Sequence, residues 1–530
     1  MTKSPVMQRH ERNPEVGPLG FVSIAHRDPN RMAIIEPAGR QITYGALAQR
    51  INQLSHLLRS YGLQPGDCVA AVLPNRREYH ELRLATGQTG LYFAPINHHL
   101  TATEIAHILT DSEAKVIVVD ASLLDVVEPA LPESGVLRER CLVVGESADW
   151  ANYEQLLGTH PSTVSEPLLA GDYMGYTSGT TGRPKGVRKP LTGKPPTVAA
   201  ALVDYMARLD IRPGSEVHLV GGPLSHAAPG TYSTIALQFG HTVVIAERPT
   251  PEEILQLIEK YRVSITFTVP TVMGRLLRLP QDIRDTYDTS SLKSVVHAGA
   301  PCPVAVKRQV IEWLGPVVME FYGATEGSAT ALTAREWLAK PGSVGYPIPG
   351  GEVRIFDGAG TQLPTGEIGA VYYRPAARVE YFKDPEKTRA AYRGDLVTAG
   401  DLGYVDEDGW LFLADRRADL ILSGGVNIYP AEVEAALLTS PLIADAAVIG
   451  IDDEDWGQRV AAVVQLERGV QTNERLPHAL IEHCRSVLAG FKVPRQVEFV
   501  EILPRNSTGK LLRRQLREEF GSGPYKRSTQ

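Results

Sequence analysis

Residues 242–279 read TVVIAERPTPEEILQLIEKYRVSITFTVPTVMGRLLRL, and in this stretch short apolar runs alternate with segments of helical periodicity. The pattern predicts strands and helices in strict alternation, at 242–246, 251–261, 264–269 and 272–279. Two further predicted strands, 293–297 and 317–322, continue the series. Alternation of this kind favours βαβ units and a largely parallel sheet.

The loops that follow these predicted strands consist mostly of small residues. Gly299, Ala300 and Pro301 follow the strand 293–297, and a second loop of small residues begins at Gly323. Ligands of parallel sheets bind just beyond the carboxyl ends of the strands. Because glycine lets a ligand approach the backbone closely, we expect a binding site along these loops.

The same periodicities divide the chain into two unequal parts. In the first part they predict helices at 43–59 and 103–109 and buried strands at 69–73 and 115–119. After about residue 417 the pattern predicts a smaller unit, with strands at 446–450, 461–466 and 497–500 and helices at 431–438 and 477–488. The predicted fold class is α/β, with a large N-terminal domain (1–417) of mainly parallel sheets and helices and a small, mobile α+β C-terminal domain (418–530).

Composition excludes several classes of protein. The 530 residues are 43% hydrophobic and 22% charged, as in globular domains, and the net charge of −7 disfavours nucleic acid as the main partner. Four well-separated cysteines show no zinc spacing and imply no disulfide framework, so we expect a reducing, cytoplasmic location. No apolar run approaches the ~18 residues that span a bilayer, and we expect no signal peptide or integral membrane segment.

Residues 176–187, YTSGTTGRPKGV, carry the strongest chemical signal in the chain. Glycines let backbone N–H groups turn inward as an anion-binding nest, and hydroxyls and cations add further donors. The spacing is not the Walker pattern, so an ordinary P-loop ATPase is disfavoured. The predicted polyphosphate-binding residues are Thr177, Ser178, Gly179, Thr180, Thr181, Gly182 and Lys185.

Further motifs follow in a fixed order, and together they suggest a known family. They are YGATEG at 322–327, AGDLGY at 399–404, DR at 415–416, SGGVNIYPAEVE at 423–434 and PRNSTGK at 504–510. In this order they resemble the adenylate-forming superfamily, which includes acyl-CoA synthetases, peptide-synthetase adenylation domains and firefly luciferase. The resemblance covers roughly residues 25–515.

The resemblance implies a role for each motif. A carboxylate beside a phosphate loop suits Mg²⁺, which prefers oxygen ligands, and Glu326 is the implied magnesium residue. The remaining implied roles are phosphate contact for Thr325, adenine packing for Tyr322, ribose binding for Asp401 and Arg416, charge neutralisation at the α-phosphate for Lys510, and a pantetheine channel at Gly424 and Gly425. The sequence departs from the family at Ala399, where threonine is usual, and at the hinge position Ala418, where Asp or Lys is common.

The resemblance also places an acyl pocket. Its implied lining residues are His226, Ala227, Val269, His297, Ala298 and Gly323. Small residues dominate these segments, Gly230 among them, so we expect a roomy pocket for a bulky or medium- to long-chain apolar acid. His226 and His297 have an alternative interpretation as buried core histidines.

The implied activity is a two-step ligation that uses ATP, Mg²⁺ and coenzyme A. A small-molecule carboxylic acid becomes an acyl-adenylate with release of pyrophosphate, and the CoA thiol then takes the acyl group. An amine or a carrier-protein thiol is an alternative acceptor, and a non-catalytic nucleotide-binding module is a second alternative. The oligomeric state stays open, a homodimer included.

Overall fold

The structure is a computed structural model that describes residues 19–36, 39–177, 184–416, 419–423, 426–453, 456–506 and 511–521. Within these ranges the side chains of residues 177, 415, 416, 426 and 427 are not described. The predicted site residues Ser178, Gly179, Thr180, Thr181, Gly182, Gly424, Gly425 and Lys510 lie outside the described residues, as does the hinge position Ala418.

The stretch 242–279 lies in the largest sheet, for which the described residues give nine strands. In spatial order they are Tyr346–Pro347, Gly327–Thr333, Val318–Ala324, Ser294–His297, Ile265–Thr268, Val217–Val220, Thr242–Ile245, Met32–Ile35 and Gln41–Thr43. The six strands from Val318–Ala324 to Met32–Ile35 are parallel. Antiparallel strands close both edges. The predicted parallel sheet is therefore confirmed.

A second sheet, of eight strands in the described part of the chain, contains the strands on either side of the hydroxyl-rich motif. Its order is Glu380–Tyr381, Lys185–Arg188, Asp172–Thr177, Tyr92–Ile96, Cys68–Val72, Ala114–Asp120, Cys141–Val144 and Ala151–Asn152. The first three strands are antiparallel, and the other pairs are parallel. The motif thus joins two antiparallel neighbours, Asp172–Thr177 and Lys185–Arg188.

A third, antiparallel sheet completes the large lobe. Over the described residues its strands are Tyr392–Arg393, Leu396–Val397, Gly369–Tyr373, Asp401–Val405 and Leu411–Arg416, with Val353–Phe356 paired to Gly369–Tyr373. The sequence analysis did not predict this sheet. Its strands are short, and several lack a clear two-residue alternation of buried and exposed positions.

The small lobe has its own sheet and core. Its described strands are Val426–Ile428, Ile421–Ser423, Gly457–Leu466, Ile443–Asp453 and Gln496–Val500. The long hairpin Ile443–Asp453/Gly457–Leu466 is antiparallel, and Gln496–Val500 is parallel to its second strand. The three predicted strands are confirmed, and the first extends beyond 446–450 at both ends because it pairs along the whole hairpin.

Helices cover both lobes. In the large lobe they are Phe21–Arg27, Tyr44–Ser60, Glu78–Thr89, Ala102–Ser112, Leu124–Val127, Leu131–Ser134, Tyr153–Gly158, Ala200–Arg208, Ala227–Phe239, Pro251–Tyr261, Pro270–Leu277, Gln281–Thr286, Val304–Leu314, Ala334–Ala339 and Pro385–Ala391. The small lobe has Pro430–Leu437, Leu476–Val487 and Arg513–Phe520. Short 3₁₀ turns lie at Ala121–Leu123, Glu128–Ala130, Arg138–Arg140 and Gly490–Lys492. None of the described helices is both long and apolar enough to cross a bilayer.

Capping side chains and proline in the first turn explain where two of the helices begin. Thr250 caps Pro251–Tyr261 in a capping box with Glu253, and proline occupies the first helical position, where its missing N–H costs nothing. The face with Ile254, Leu255 and Ile258 is buried against the sheet. The helix predicted at 272–279 instead spans Pro270–Leu277, because Pro270 also fits the first turn.

Candidate active site

A continuous cleft of about 3760 Å³ runs past the carboxyl ends of the parallel strands and between the two lobes. Glu326 and Asp401 line it from the large lobe, and Glu434 and Arg505 line it from the small lobe. Pockets for single small molecules are typically about 300–1,000 Å³. The cleft is therefore large enough for several ligands at once.

Glu326 lies in the tight turn between the strands Val318–Ala324 and Gly327–Thr333. Gly323 makes this turn achievable, because a Cβ there would meet the carbonyl oxygen of Gly327 at 2.4 Å. The turn directs Thr325 and Glu326 to the cleft wall. Glycine at 323 is thus required by packing of the backbone as well as by access for a ligand.

A tyrosine that the sequence analysis missed holds the Glu326 carboxylate. The Tyr381 hydroxyl donates a hydrogen bond to Glu326 Oε1 at 2.5 Å, and the carboxylate is only 6% exposed. Burial and the neighbouring Glu326 charge raise the pKa of Tyr381, so the phenol stays protonated and remains a donor. The motif itself gave no sign of this contact, because the two residues are far apart in sequence.

The donor set around Glu326 fits a magnesium ion that arrives with a nucleotide. The described residues contain no cluster of three or more His, Cys, Asp or Glu side chains suited to a metal. Mg²⁺ is commonly held by one or two carboxylates together with waters and substrate phosphates, rather than by a complete protein cage. Glu326, a single carboxylate on the cleft wall, matches that arrangement.

Tyr322 and Asp401 come together from two different sheets. The Tyr322 hydroxyl donates to Asp401 Oδ2 at 2.7 Å, and both side chains are buried at the edge of the cleft. Before Asp401 the chain turns through Gly400, whose φ is +85° and whose N–H donates to Thr398 Oγ1 at 3.0 Å. A hydroxyl of the neighbouring Thr398 thus takes part in this turn, while position 399 has none.

The structure also describes the backbone of three further residues predicted to bind the nucleotide, which are Arg416, Thr177 and Lys185. Arg416 pairs in register with Asp401 on the adjacent strand, which brings the two backbones together. Thr177 pairs likewise with Lys185, whose Nζ is 3.6 Å from Asp384 Oδ2. Lys185 itself does not line the cleft as described.

The loop 299–301 reaches the cleft, as predicted for the end of a parallel strand. Gly299, Ala300 and Pro301 all line it, and Gly299 has a φ of +88°, which favours glycine. Ala298 and Val269 line the cleft beside them.

His226 and Ala227 begin the helix Ala227–Phe239 at the cleft wall. Burial, together with the neighbouring His98 and His99, lowers the pKa of His226 to about 4. The imidazole is therefore neutral at neutral pH. A neutral His226 can orient a substrate through hydrogen bonds but does not supply a positive charge to a carboxylate.

Two residues expected at the acyl pocket are located elsewhere. Gly230 does not line the cleft; its small size serves packing, because a Cβ would lie 2.1 Å from the Tyr79 hydroxyl. His297 is fully buried and off the cleft wall, 3.7 Å from Glu320 Oε2. Burial and the adjacent Lys307 keep the pKa of His297 well below its usual value, so it is a neutral core histidine.

Aromatic side chains form part of the cleft wall that the sequence analysis assigned to small residues. The cleft-lining rings belong to Tyr205, Tyr232, Phe267 and Phe321. Tyr232 and Phe321 stack with ring centroids 5.5 Å apart, and the Tyr205 hydroxyl donates to Ser328 Oγ at 3.0 Å. These residues come from separate helices and strands, so no local motif marks them.

Comparison with known proteins adds an independent line of evidence. Residues 21–378 match the family described as AMP-binding enzyme, and residues 432–510 match its C-terminal domain. Among curated proteins, the chain is 33% identical to the fatty acid–[acyl-carrier-protein] ligase ScoC of Streptomyces coeruleorubidus, over 94% of this chain and 95% of that protein. It is 31% identical to the long-chain-fatty-acid–CoA ligase FadD13 of Mycobacterium tuberculosis, over 93% and 96%.

A solved structure with the same architecture is the amide bond synthetase McbA from Marinactinospora thermotolerans. It superposes with a TM-score of 0.82 at 30% identity, covering 94% of this chain and all of that one. By their names, these three proteins are an acyl-carrier-protein ligase, a CoA ligase and an amide bond synthetase.

Proposed function

The chain belongs to the AMP-binding enzyme family of adenylate-forming ligases, and we propose that it is an ATP-dependent carboxylic acid–CoA ligase. The observation that carries this proposal is a single cleft. Glu326, Tyr322 and Asp401 line one part of it, and an aromatic and apolar wall lines another. A nucleotide phosphate and an apolar acid can therefore meet within one enclosure.

In the first proposed step, a carboxylate oxygen of the acid attacks the α-phosphorus of ATP. The bond between the α-phosphorus and the bridging oxygen breaks, and its electron pair leaves with pyrophosphate. The Tyr322–Asp401 pair orients the nucleoside, and the buried Tyr381–Glu326 pair fixes a carboxylate beside the phosphates. No side-chain nucleophile is required, because positioning and charge neutralisation lower the barrier.

Magnesium, when bound with ATP, would supply charge neutralisation at the phosphates, with Glu326 as the protein ligand. We assign Lys510, on the basis of the family resemblance, to neutralise charge at the α-phosphate as the five-coordinate phosphorus forms. Thr325 and the hydroxyl-rich residues 177–182 would complete the phosphate contacts.

In the second proposed step, a thiol sulfur attacks the carbonyl carbon of the acyl-adenylate and loses its proton to solvent. The bond from that carbon to the phosphate oxygen breaks, and AMP leaves with the electron pair. We place the boundary between the domains at residues 417–418 and propose that the small domain rotates there between the two steps. This rotation would withdraw Lys510 and bring Gly424 and Gly425 to the cleft, where backbone without side chains leaves room for pantetheine.

The acid is proposed to be bulky or of medium to long chain, and apolar. Tyr232, Phe267 and Phe321 give the pocket apolar surface, and Val269 and Ala298 leave space beside them. The fatty-acid relatives support this class.

Two alternative acceptors have specific support. ScoC, by its name, uses an acyl-carrier protein, and McbA, by its title, forms amide bonds. Product analysis with CoA, an acyl-carrier protein or an amine as acceptor decides among them. CoA thioester as the main product supports the proposal, and amide or protein-bound thioester replaces it with the corresponding alternative.

The adenylation step is tested by ATP–pyrophosphate exchange against a library of carboxylic acids. We expect exchange that depends on the acid and is strongest with apolar acids larger than butyrate. Strongest exchange with acetate or propionate would contradict the proposed pocket. Binding of ATP without exchange for any acid would instead favour a non-catalytic nucleotide-binding module.

A further inference from the structure

The helix Pro385–Ala391 brings a lysine to the part of the cleft that contains Glu326. Lys387 lines the cleft and is half-buried, and its Nζ lies 4.1 Å from the centroid of the Tyr381 ring. Tyr381 in turn donates its hydroxyl hydrogen bond to Glu326. The Tyr381 ring thus lies between the ammonium group of Lys387 and the carboxylate of Glu326, the magnesium ligand that the family resemblance implies.

Two hydrogen bonds fix the backbone around Lys387 in the first turn of its helix. Its backbone N–H donates to Asp384 Oδ1 at 3.0 Å, which caps the helix. The next residue, Thr388, accepts a hydrogen bond from the Tyr381 N–H at 3.0 Å, which ties the helix to the strand Glu380–Tyr381. The side chain therefore starts from a backbone held rigidly relative to Glu326.

Lys387 differs from the neighbouring Lys185 and Lys383 in having no ion-pair partner among the described residues. Lys185 lies 3.6 Å from Asp384, and Lys383 is paired with Glu113 at 3.0 Å. Across the residues that the structure describes, Lys387 forms no ion pair. Burial lowers the pKa of Lys387, and the positive charge of Lys185 lowers it further, while Glu326 and Asp384 act in the opposite direction.

A half-buried ammonium gains from an anion in direct contact, because the distant carboxylates and one aromatic ring replace only part of its lost hydration. Lys387 lies on the ring of Tyr381, which bonds the proposed magnesium ligand Glu326, whereas Asp401 at the nucleoside end is bonded by a different tyrosine, Tyr322. Lys185 begins the strand that follows the predicted polyphosphate-binding residues 177–182 in the sequence, and it pairs with Thr177. The missing anion therefore belongs to the phosphate end of the nucleotide.

We propose that Lys387 binds the β- and γ-phosphates of ATP and the pyrophosphate that forms from them. This inference rests on the proposed function, because pyrophosphate is the leaving group of adenylation. When the bond from the α-phosphorus to the bridging oxygen breaks, that oxygen takes the electron pair, and the ammonium group of Lys387 offsets the added charge. Lys387 is thus a leaving-group contact that the family motifs do not include.

The deciding experiment compares the binding of MgATP and AMP by titration calorimetry, because AMP lacks the two phosphates. For Lys387→Met we expect the Kd of MgATP to rise about tenfold, as for one lost charge-assisted hydrogen bond, and the Kd of AMP to stay within about twofold. Lys387→Arg keeps the charge and should restore most of the affinity. Arg389→Met, on the same helix but exposed and off the cleft, is the matched control and should bind both ligands like the wild type.

Unchanged MgATP affinity in Lys387→Met would overturn the inference. Equal weakening of MgATP and AMP would also overturn it, because that result indicates a structural role. With an active acid in hand, the KM for pyrophosphate in the exchange reaction should rise about tenfold while the KM for the acid is unchanged. Absence of exchange in the wild type would count against the proposed function alone, since the calorimetric comparison still decides the role of Lys387.

Discussion

Tyrosine hydroxyls donate hydrogen bonds to two carboxylates of the cleft. The buried Glu326 carboxylate accepts from Tyr381, and Asp401 accepts from Tyr322. In both pairs the tyrosine comes from a different sheet than the acid, so each bond also connects two sheets. A hydrogen bond to a charged group is worth roughly 1.5–3 kcal/mol, enough to decide where a carboxylate lies.

Removing the Tyr381 hydroxyl should therefore impair magnesium-dependent use of ATP. For Tyr381→Phe we expect kcat/KM for ATP to fall roughly tenfold, with little change in thermal stability because the ring remains. ATP–pyrophosphate exchange over a Mg²⁺ titration measures the effect. Tyr346→Phe, an exposed tyrosine off the cleft, is the control; a Tyr381→Phe enzyme as active as this control would refute the holding role.

A buried ion pair also stabilises the large lobe beside the cleft. Lys307 Nζ contacts Glu320 Oε2 inside the large lobe, and burial raises the pKa of Glu320 while Lys307 lowers it. Removing one partner leaves the other charge unpaired, which costs about 3–5 kcal/mol.

Lys307→Met should consequently lower the melting temperature of the large lobe by several degrees. The double variant Lys307→Met/Glu320→Gln should recover part of the loss, because the unpaired carboxylate is gone. Differential scanning fluorimetry follows both variants. A double variant less stable than Lys307→Met would show that the loss does not come from the unpaired charge.

A two-residue turn between two antiparallel strands brings Thr325 and Glu326 to the cleft. The sequence analysis located the strand before this turn to within two residues at each end, as 317–322 against the observed Val318–Ala324. It did not foresee that the next strand folds back antiparallel, because hairpin pairing depends on a partner rather than on local periodicity.

Gly323→Ala tests the turn directly. The new Cβ would meet the Gly327 carbonyl oxygen at 2.4 Å and push the two strands apart, so Glu326 would shift relative to Tyr381. We expect ATP–pyrophosphate exchange to fall at least tenfold, since positioning losses of this kind are costly. Gly358→Ala, in an exposed turn where a Cβ would meet nothing within 4 Å, is the matched control. Equal activity of the two variants would contradict this account.

Residues of both lobes line the same cleft. The Arg278 guanidinium donates to the Ala444 carbonyl oxygen at 2.9 Å and is a described contact between large and small lobe. Within the small lobe, Asp419 is paired with Arg513 and Arg517 and joins the start of the lobe to its last helix. These pairs tie the start of the lobe to its end, and the proposed rotation of the lobe as one unit requires such a connection.

A Lys510 variant tests whether this lysine acts in adenylation but not in thioester formation. Lys510→Ala should reduce adenylation about 100-fold or more, as for loss of one electrostatic donor in a transition state. Thioester formation from supplied acyl-adenylate should change little, because the rotated lobe no longer uses this lysine. Lys492→Ala, on the same lobe and paired with Glu432 away from the cleft, is the control. Equal loss in both half-reactions of Lys510→Ala would refute the rotation scheme.

The sequence alone determined the class of fold, the order of the main elements and the motifs that bring Tyr322, Glu326 and Asp401 to the cleft. These features follow from local periodicity, capping and short glycine-bearing turns, all of which act over a few neighbouring residues. Tertiary packing, in contrast, brings the Tyr381 hydroxyl to Glu326 and Lys387 to the Tyr381 ring. It also lines the pocket with aromatic rings and buries His297 and Gly230 in the core. Such contacts join residues that are distant in the chain, and burial and charge act on them only after the sheets have packed.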